Sequence, residues 1–473
     1  MVIRPLVVAL ATAVLAACTV GPEYRAAEPA PVELGNAAVD GVFVAQSPVA
    51  AWWRQFDDPV LDRLVVDALI ANPDLRLAMT RVQEARSVFV ERRLDVLPHV
   101  TAGATQTRTG TPDGQGARTV TEENSLGLDV AWELDLFGRL RRGAQAARAD
   151  LEAEQAGLAD AQVSVAAEVA GNYFQLRGAQ QRIAVAERTL ENLRDTQRLT
   201  ETRHELGAGS ELDVQSSRAR LKAIEAELPL LRTTEAQARH RLAVLLGLRP
   251  GALDTRLVPR DTPAYARALP IGDARELLRN RPDVRAAERR LASATARVGV
   301  ATADLFPRIS LQGFAGFLSG SSSGLVNGDN RGWSVTPGIS WAAFDLGSVR
   351  ARLRASEARA DGVAIQYEQA VLTALEETEN ALVAHARQRQ RLELVLEQAT
   401  AARRAAELAD ISYREGAADF LVLLDAQRNQ LQADDALAAA EAAVNTSAVA
   451  VYKALGGWGE NPPPDAQGGL AGG

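Results

Sequence analysis

The 473-residue chain carries 60 acidic and 52 basic side chains, and its net charge of −8 argues against nucleic acid as a partner, because proteins that bind nucleic acid present a basic face. Its single cysteine excludes an intramolecular disulfide. Aromatic residues make up 5% of the chain and alanine is abundant, which favours closely approaching helices over a thick globular core.

Residues 1–17 are predicted to form a secretory signal peptide. Arg4 precedes an apolar run that ends at Ala17, shorter than the roughly 20 residues of a membrane-spanning helix. Leu15-Ala16-Ala17-Cys18 has the pattern of a lipobox, so we expect diacylglycerol and palmitate on Cys18 and no other cofactor, since stable anchoring takes at least two acyl chains. The alternative is a chance cysteine at an ordinary cleavage site. The residue after Cys18 is Thr19 rather than Asp, and this choice resembles bacterial lipoproteins that are sorted to the outer membrane.

Beyond a predicted lipidated tether at residues 18–60, the sequence contains one unit twice. Repeat 1 covers 61–248 and repeat 2 covers 271–456, with a proline-rich linker at 249–270 and a tail at 457–473 predicted to be disordered. Marker residues recur at a constant spacing, and a spacing without slippage across helices and loops predicts two matched, elongated units. The pairs include Pro73 and Pro282, Pro98 and Pro307, Trp132 and Trp341, Gly138 and Gly347, and Gly207 and Gly416.

Each repeat is predicted to begin with a helical stretch, Leu61–Leu97 or Ile271–Phe306. Pro73 and Pro282 interrupt these stretches, so each should be a short helix followed by a longer one, because proline favours the first turn of a helix and breaks its interior.

The segments that follow change to a period of two, which predicts strands. The alternation is strict at Ser125–Trp132 and Trp333–Trp341 and weaker at His99–Thr107 and Arg308–Leu318, with polar loops predicted at Gly110–Glu123 and Ser319–Arg331. The aromatic residues at strand ends, Trp132, Trp333 and Trp341, are typical of the interfacial girdle of a membrane barrel. The alternation alone fits an ordinary soluble sheet equally well.

Long helices are predicted next, at Gly138–Leu206 and Gly347–Glu415, because both stretches lack proline and are rich in strong helix formers. At about 1.5 Å per residue, each would reach roughly 100 Å. Helix-turn-helix tips should follow, at Gly207 and Gly209 in repeat 1 and at Gly416 and Ala417 in repeat 2. The return helices are Leu212–Leu246, which Pro229 is predicted to kink or split, and Phe420–Leu455.

The predicted fold is therefore mainly α with a small transmembrane β portion: internally duplicated long helical hairpins plus two β-hairpins. Two β-hairpins supply four strands, whereas a closed membrane barrel needs about eight or more and open strand edges are not tolerated in lipid. If the strands enter a membrane, several chains must share one barrel.

These features resemble the TolC-like outer-membrane efflux factors, in particular their lipoprotein (NodT/OprM-like) branch. The resemblance runs from Cys18 to about Gly457. The residues that carry it include Trp52-Trp53, Leu305-Phe306-Pro307, Trp341-x-x-Phe344-Asp345-x-Gly347, Tyr413-Arg-Glu-Gly416 and Leu424-Asp425-Ala426-Gln427.

The resemblance implies a homotrimer with a twelve-stranded β-barrel and a long periplasmic α-barrel, located in the outer membrane of a Gram-negative bacterium. It implies a channel rather than an enzyme: the exit duct of a tripartite efflux system, which exports small molecules. The implied partners are a periplasmic adaptor (membrane fusion protein), an inner-membrane transporter of the RND type, and outer-membrane lipid.

The resemblance also implies site residues. Gly207, Gly209, Gly416 and Ala417 would form the tips that contact the adaptor. Asp425 would ring the periplasmic constriction, and Tyr413 and Asp213 would lock neighbouring helices by a hydrogen bond. From the residues alone, Asp425 also fits a solvated carboxylate and Tyr413 a packed aromatic. Ala418 and Val422 stand where some members have an arginine and a second aspartate.

Two other classes of function are alternatives to a channel. An enzyme is disfavoured because the four histidines, including His204 and His385, have no metal-ligand spacing, and phosphate-loop and nucleophile motifs are absent from the sequence. The paired carboxylates Glu376-Glu377 and Asp434-Asp435 are typical of a solvated helix face. A periplasmic adaptor or structural coiled-coil lipoprotein is the stronger alternative, but such adaptors carry one helical hairpin, whereas this sequence predicts two.

Overall fold

A computed structural model describes residues 19–26, 34–36, 41–47, 49–112, 118–273 and 278–457. The predicted signal peptide, Cys18, parts of the tether and residues 458–473 lie outside the described residues. Across the described ranges, no helix combines the length and the apolarity needed to cross a membrane.

The chain is mainly helical, with one small sheet and one short strand pair. The elements in chain order are β1 (Phe43–Val44), a 3-10 turn (Trp52–Phe56), α1 (Pro59–Ala71), α2 (Pro73–Leu94), β2 (His99–Pro112), β3 (Arg118–Leu134), α3 (Arg139–Glu205), α4 (Glu211–Leu245), β4 (Leu269–Pro270), α5 (Pro282–Ala303), β5 (Arg308–Ser319), β6 (Arg331–Ser340), α6 (Leu346–Arg414) and α7 (Phe420–Ala454).

The predicted fold class is confirmed. All four long helices begin and end within one residue of the predicted bounds. A glycine with a positive φ lies two residues beyond the C-terminal end of each helix, so these ends are set by local backbone conformation. The expected split at Pro229 is wrong: α4 runs through Pro229 without a break. Pro229 is exposed, so the carbonyl group left without its helical donor can be hydrated instead.

The chain forms two compact units. The first comprises the described residues of Met1–Glu28 together with Thr80–Ala156 and Ala286–Gln369, and it contains an antiparallel sheet of order β2-β3-β5-β6. The predicted loop at Gly110–Glu123 is too long, because β2 continues to Pro112 and β3 begins at Arg118. Threonine recurs at every second position from Thr105 to Thr111, and this β-branched residue favours strands although it is not apolar.

Where the strands of this unit meet its helices, the two repeats make the same contact. The Trp132 indole Nε1 donates to the carbonyl oxygen of Val96 at 3.0 Å, and the Trp341 Nε1 donates to that of Leu305, also at 3.0 Å. Each bond spans 36 residues. The indoles thereby tie the end of a strand to the end of the preceding helix.

The second unit comprises the described residues of Pro29–Met79, Gly157–Arg285 and Ala370–Gly473. Its largest apolar core contains buried Trp52 and Trp53, with Trp52 stacked on Tyr452 at a centroid distance of 5.1 Å. Residues assigned to the tether and linker belong to this core. Phe43 in β1 pairs in parallel with Leu269 in β4, and linker side chains such as Leu253 are fully buried.

Candidate functional site

The predicted hairpin tips have matching backbone geometry in the two repeats. Gly207 and Gly416 adopt φ of 73° and 76°, the left-handed conformation that favours glycine. The Ala208 N–H donates to the Arg203 carbonyl at 2.8 Å, and the Ala417 N–H donates to that of Ser412 at 2.8 Å. Each tip is therefore a Schellman turn that satisfies the last carbonyls of a long helix.

Gly209 has a different role from Gly207. Its φ is not positive, but a Cβ at this position would meet the Arg203 Cβ and the His204 backbone nitrogen at 3.2 Å. Gly209 therefore allows the turn to pass closely over the end of α3. Gly207 and Gly416 have open space around them, so backbone conformation alone explains those two glycines.

The two tips are closed by different side chains at equivalent positions. In repeat 1, the His204 Nε2 lies 3.2 Å from the Glu211 carboxylate, and the His204 Nδ1 lies 3.2 Å from the Gly209 carbonyl oxygen. In repeat 2, Tyr413 and Phe420 take these two positions, and their ring centroids are 5.6 Å apart. The first tip is polar and partly exposed to solvent, whereas the second has a small apolar cluster beneath it.

Tyr413 is 5% exposed and contacts α3 rather than Asp213. The Arg203 guanidinium carbon lies 4.5 Å from the Tyr413 ring centroid, and Arg203 Nη2 is 3.5 Å from the Tyr413 carbonyl oxygen. Asp213 instead forms a capping box with Ser210: the carboxylate accepts from the Ser210 N–H at 3.2 Å, and the Asp213 N–H donates to Ser210 Oγ at 3.2 Å.

Asp425, the third predicted constriction residue, lies on an exposed part of α7. It pairs with Arg428 one turn along the same helix and accepts from Asn429 Nδ2 at 3.2 Å. The single protomer therefore does not bring Asp425, Asp213 and Tyr413 into contact within its described residues. Trp333 and Trp341 are exposed on β6 and just beyond it, whereas Trp132 is half-buried.

The structure shows an N-terminal contact that sequence reasoning missed. The Val20 N–H donates to the Phe137 carbonyl at 3.2 Å, and the largely buried Arg142 guanidinium donates to the Val20 and Gly21 carbonyls at 3.3 Å each. Gly21 has φ of 87°, and a Cβ there would lie 2.6 Å from the Gly299 Cα. An isolated glycine within α5 was the available signal, since glycine costs about 1 kcal/mol in a helix interior unless a close approach requires it.

The paired carboxylates of α7 are not merely solvated. Asp435 accepts from Arg182 of α3 through two nitrogens at 2.7 and 3.0 Å, and Asp434 accepts from Arg403 of α6 at 2.7 Å. Neighbouring carboxylates in the sequence therefore connect α7 to two different long helices. The expectation of a plain solvated face is wrong for this pair, because adjacent helical residues point towards different neighbours.

His385 lies in the buried seam between α6 and α7. It is fully buried and its Nδ1 lies 2.9 Å from Ser447 Oγ, while Nε2 has no partner among the described residues. Burial, with a further contribution from the positive charge of Arg389, lowers the pKa of His385 to about 4. The described residues contain no cluster of three or more His, Cys, Asp or Glu able to hold a metal ion.

Comparison with known proteins matches this architecture. The family model described as "Outer membrane efflux protein" matches residues 64–248 and again residues 274–457. The chain is 31% identical over 418 residues to nodulation protein T of Rhizobium leguminosarum bv. trifolii, covering 88% of this chain and 89% of that protein. It is 33% identical over 453 residues to outer membrane protein OprJ of Pseudomonas aeruginosa, covering 94% of each.

Two solved structures extend the comparison. The outer-membrane channel OprN superposes with a TM-score of 0.89 at 50% identity, covering 93% of this chain and 99% of that one. The open state of the MtrE outer membrane channel of Neisseria gonorrhoeae superposes with a TM-score of 0.78 at 30% identity, covering 93% and 98%. With a duplicated family match and relatives aligned over most of their length, the chain belongs to the outer membrane efflux protein family.

Proposed function

We propose that this chain is the outer-membrane duct of a tripartite efflux system and acts as a homotrimer. The observation that carries the proposal is the sheet order β2-β3-β5-β6, which leaves β2 and β6 as edges within the described protomer. Open edges cannot face lipid, so neighbouring protomers would pair β6 with β2. Three copies would supply the twelve strands of a closed barrel, and the long helical hairpins would extend into the periplasm.

The partners follow from this assignment. A periplasmic adaptor and an inner-membrane transporter would complete the system, and the adaptor would contact the tips at Gly207, Gly209, Gly416 and Ala417. We propose a transporter of the RND type, which the family resemblance supports. The relatives include a toluene efflux pump outer membrane protein of Pseudomonas putida, 34% identical over 408 residues, so small organic molecules are the proposed cargo class.

The assignment is tested on the purified full chain. A channel requires detergent, forms an oligomer that migrates differently after heating, and gives stepwise conductance in planar bilayers. A structural lipoprotein or an adaptor would give no conductance and would become water-soluble once its lipid is removed. That second result would overturn the proposal.

We propose a periplasmic constriction near the tips, with Asp425 contributing three carboxylates around the axis. Three carboxylates at one constriction would favour cations. Asp425→Ala should therefore raise conductance and lower cation preference. Asp410→Ala is the matched control, because Asp410 also pairs, at 2.9 Å, with an arginine one turn along its own helix. Equal behaviour of the two variants would remove Asp425 from the constriction.

We also propose lipidation of Cys18 after cleavage of residues 1–17. The support within the described residues is the docking of Thr19 and Val20 beside Gly138, where the first hairpin ends. Cys18→Ser should abolish palmitate incorporation. A thiol restored elsewhere, in Cys18→Ser/Ser47→Cys, should not recover it, and labelling of either variant would contradict the lipobox.

The remaining boundaries stay proposals as well: the tether at 18–60, the repeats at 61–248 and 271–456, the linker at 249–270 and the tail at 457–473. Trp132, Trp333 and Trp341 are proposed to lie at the membrane interface, where an indole can keep its N–H hydrogen-bonded while its ring contacts lipid.

A further inference from the structure

We propose that Arg203 is the residue that holds the second hairpin tip closed, by stacking on Tyr413, in place of a hydrogen bond between Tyr413 and Asp213. This inference rests on the proposed function as a gated duct. It assigns a positioning role to a side chain on α3 that acts on an aromatic ring of α6, and both residues lie in the same compact unit.

The Tyr413 ring lies between α3 and α7 at the second tip. Tyr413 belongs to a small apolar cluster with Ala409, Phe420 and Leu423, and Leu199 of α3 packs against it. Leu199 and Arg203 are one turn apart on α3, so they present one face to the cluster. Leu199 supplies apolar contact, and Arg203 lies over the ring itself.

Arg203 contacts Tyr413 through both its charge and its planar shape. A guanidinium whose central carbon lies 4.5 Å from the ring centroid is within the range of a cation–π interaction. Arg203 also directs Nη2 to the Tyr413 carbonyl oxygen at 3.5 Å, a weak contact that fixes its direction. The planar guanidinium of arginine can stack on an aromatic ring, whereas the ammonium group of lysine supplies only the charge.

The carboxylates of Asp213 and Asp425 have partners other than Tyr413. The Asp213 carboxylate accepts from the Ser210 N–H in the capping box, and Asp425 is paired with Arg428 and Asn429. The Tyr413 hydroxyl has no protein hydrogen bond among the described residues. The ring, rather than the hydroxyl, therefore carries the contact between α3 and α6 at the tip.

The turn of the first tip passes close to Arg203. A Cβ placed on Gly209 would lie 3.2 Å from the Arg203 Cβ, so the base of the Arg203 side chain lies beside this turn. Repeat 2 has Ala418 at the position of Gly209. The first tip thus packs against the residue that we propose holds the second tip.

The test measures open probability of the trimer in planar bilayers, together with entry of a large antibiotic that wild-type outer membranes exclude. Arg203→Ala and Tyr413→Leu should raise the open-to-closed ratio, by about 2- to 30-fold for the loss of a contact of this class. Tyr413→Phe and Asp213→Asn should stay near wild type, because both keep the cation and the ring. The open-to-closed ratio of Arg203→Lys should lie between those of the wild type and Arg203→Ala.

Arg198→Ala is the matched control, because Arg198 lies on the same helix and, among the residues that the structure describes, its guanidinium pairs only with nearby Asp195. If Tyr413→Phe and Asp213→Asn open the channel while Arg203→Ala does not, the hydrogen-bond lock is correct and the proposal is overturned. Arg203→Ala behaving like Arg198→Ala would also overturn it. A wild-type protein without conductance would instead refute the proposed function, so the two failures are distinguishable.

Discussion

Arg281 and Asn72 occupy equivalent positions in the two repeats and make the same long-range hydrogen bond with different side chains. Asn72 Nδ2 donates to the Leu245 carbonyl at 2.9 Å, and Arg281 Nη1 donates to the Ala454 carbonyl at 2.8 Å. Each bond spans 173 residues. Both tie the residue before a Pro-Asp pair to the end of a return helix, so the repeat is preserved in its contacts as well as in its spacing.

Substitutions of Asn72 should lower the stability of the protein through two separable contacts. The Asn72 Oδ1 also caps α2 by accepting from the Asp74 N–H at 2.8 Å. Asn72→Ser keeps a capping oxygen but leaves the Leu245 carbonyl unpaired, at a cost of about 1 kcal/mol. Asn72→Ala removes the cap as well, for about 2 kcal/mol in total. Denaturation of the detergent-solubilised protein measures both, and equal losses would contradict a separate capping role.

Arg281 makes ion pairs that Asn72, its counterpart in repeat 1, cannot make. Besides Ala454, it pairs with Asp283 at 2.7 Å and Glu377 at 2.6 Å, and its side chain is only 6% exposed. Arg281→Ala should therefore cost about 3 kcal/mol, because a buried carbonyl and two carboxylates lose their cationic partner. Arg281→Asn, which introduces the residue of repeat 1, should recover part of the loss in the same unfolding assay. No recovery would mean that the ion pairs carry the whole effect.

Gly21→Ala should release the N-terminal segment from its contact with Arg142. The new Cβ would lie 2.6 Å from the Gly299 Cα, in addition to the strain of a positive φ for alanine. Trypsin should then cleave after the exposed Arg25 faster than in wild type. Gly41→Ala separates the two causes, since Gly41 has φ of 73° but open space around it. Equal cleavage in both variants would leave backbone strain as the only cause.

His385 should make the protein less stable in acid. Its folded pKa of about 4 lies below the ordinary value near 6.5, so the unfolded chain binds the proton first as the pH falls. The contribution of neutral His385 to the free energy of unfolding is essentially complete above pH 6.5 and is lost as the pH falls towards 4. At pH 5 the loss amounts to about 2 kcal/mol. His385→Gln should show a smaller fall in melting temperature between pH 7.5 and pH 5. The same fall in both proteins would place the acid sensitivity at another group.

The Arg182–Asp435 pair should contribute only modestly, because both side chains are more than a third exposed. Asp435→Asn should cost about 0.5 kcal/mol at low salt, and the difference from wild type should vanish near 1 M salt. Glu407→Gln serves as the control, since its pair with Arg404 lies within one helix and is well exposed. A salt-independent loss at Asp435 would indicate a packing effect rather than an ion pair.

The sequence predicted the helices well because their ends are decided locally. Gly207 and Gly416 terminate α3 and α6 through backbone conformation that glycine adopts readily, and no tertiary information is needed to see it. The predicted split at Pro229 is wrong for the opposite reason. Whether a proline splits a helix depends on which face of the helix meets water, and tertiary packing decides that.

The site was only partly predictable. The positions of the tips followed from glycine, but the partner of Tyr413 did not, because Arg203 lies 210 residues earlier and a charged residue near a helix end has many possible partners. The contact between Gly21 and Gly299 could not be predicted either, because the two residues are far apart in the sequence. Only the cost of a glycine inside α5 hinted at it.

The sheet order carries one more consequence, for the life of the chain before assembly. β2 and β6, with 14 and 10 residues, are long edges with rows of backbone donors and acceptors that are unsatisfied in the lone subunit, and such edges template unwanted pairing. A newly exported subunit is therefore prone to aggregate until neighbouring subunits pair with these edges. Its transport to the membrane should require a chaperone that covers the two edge strands.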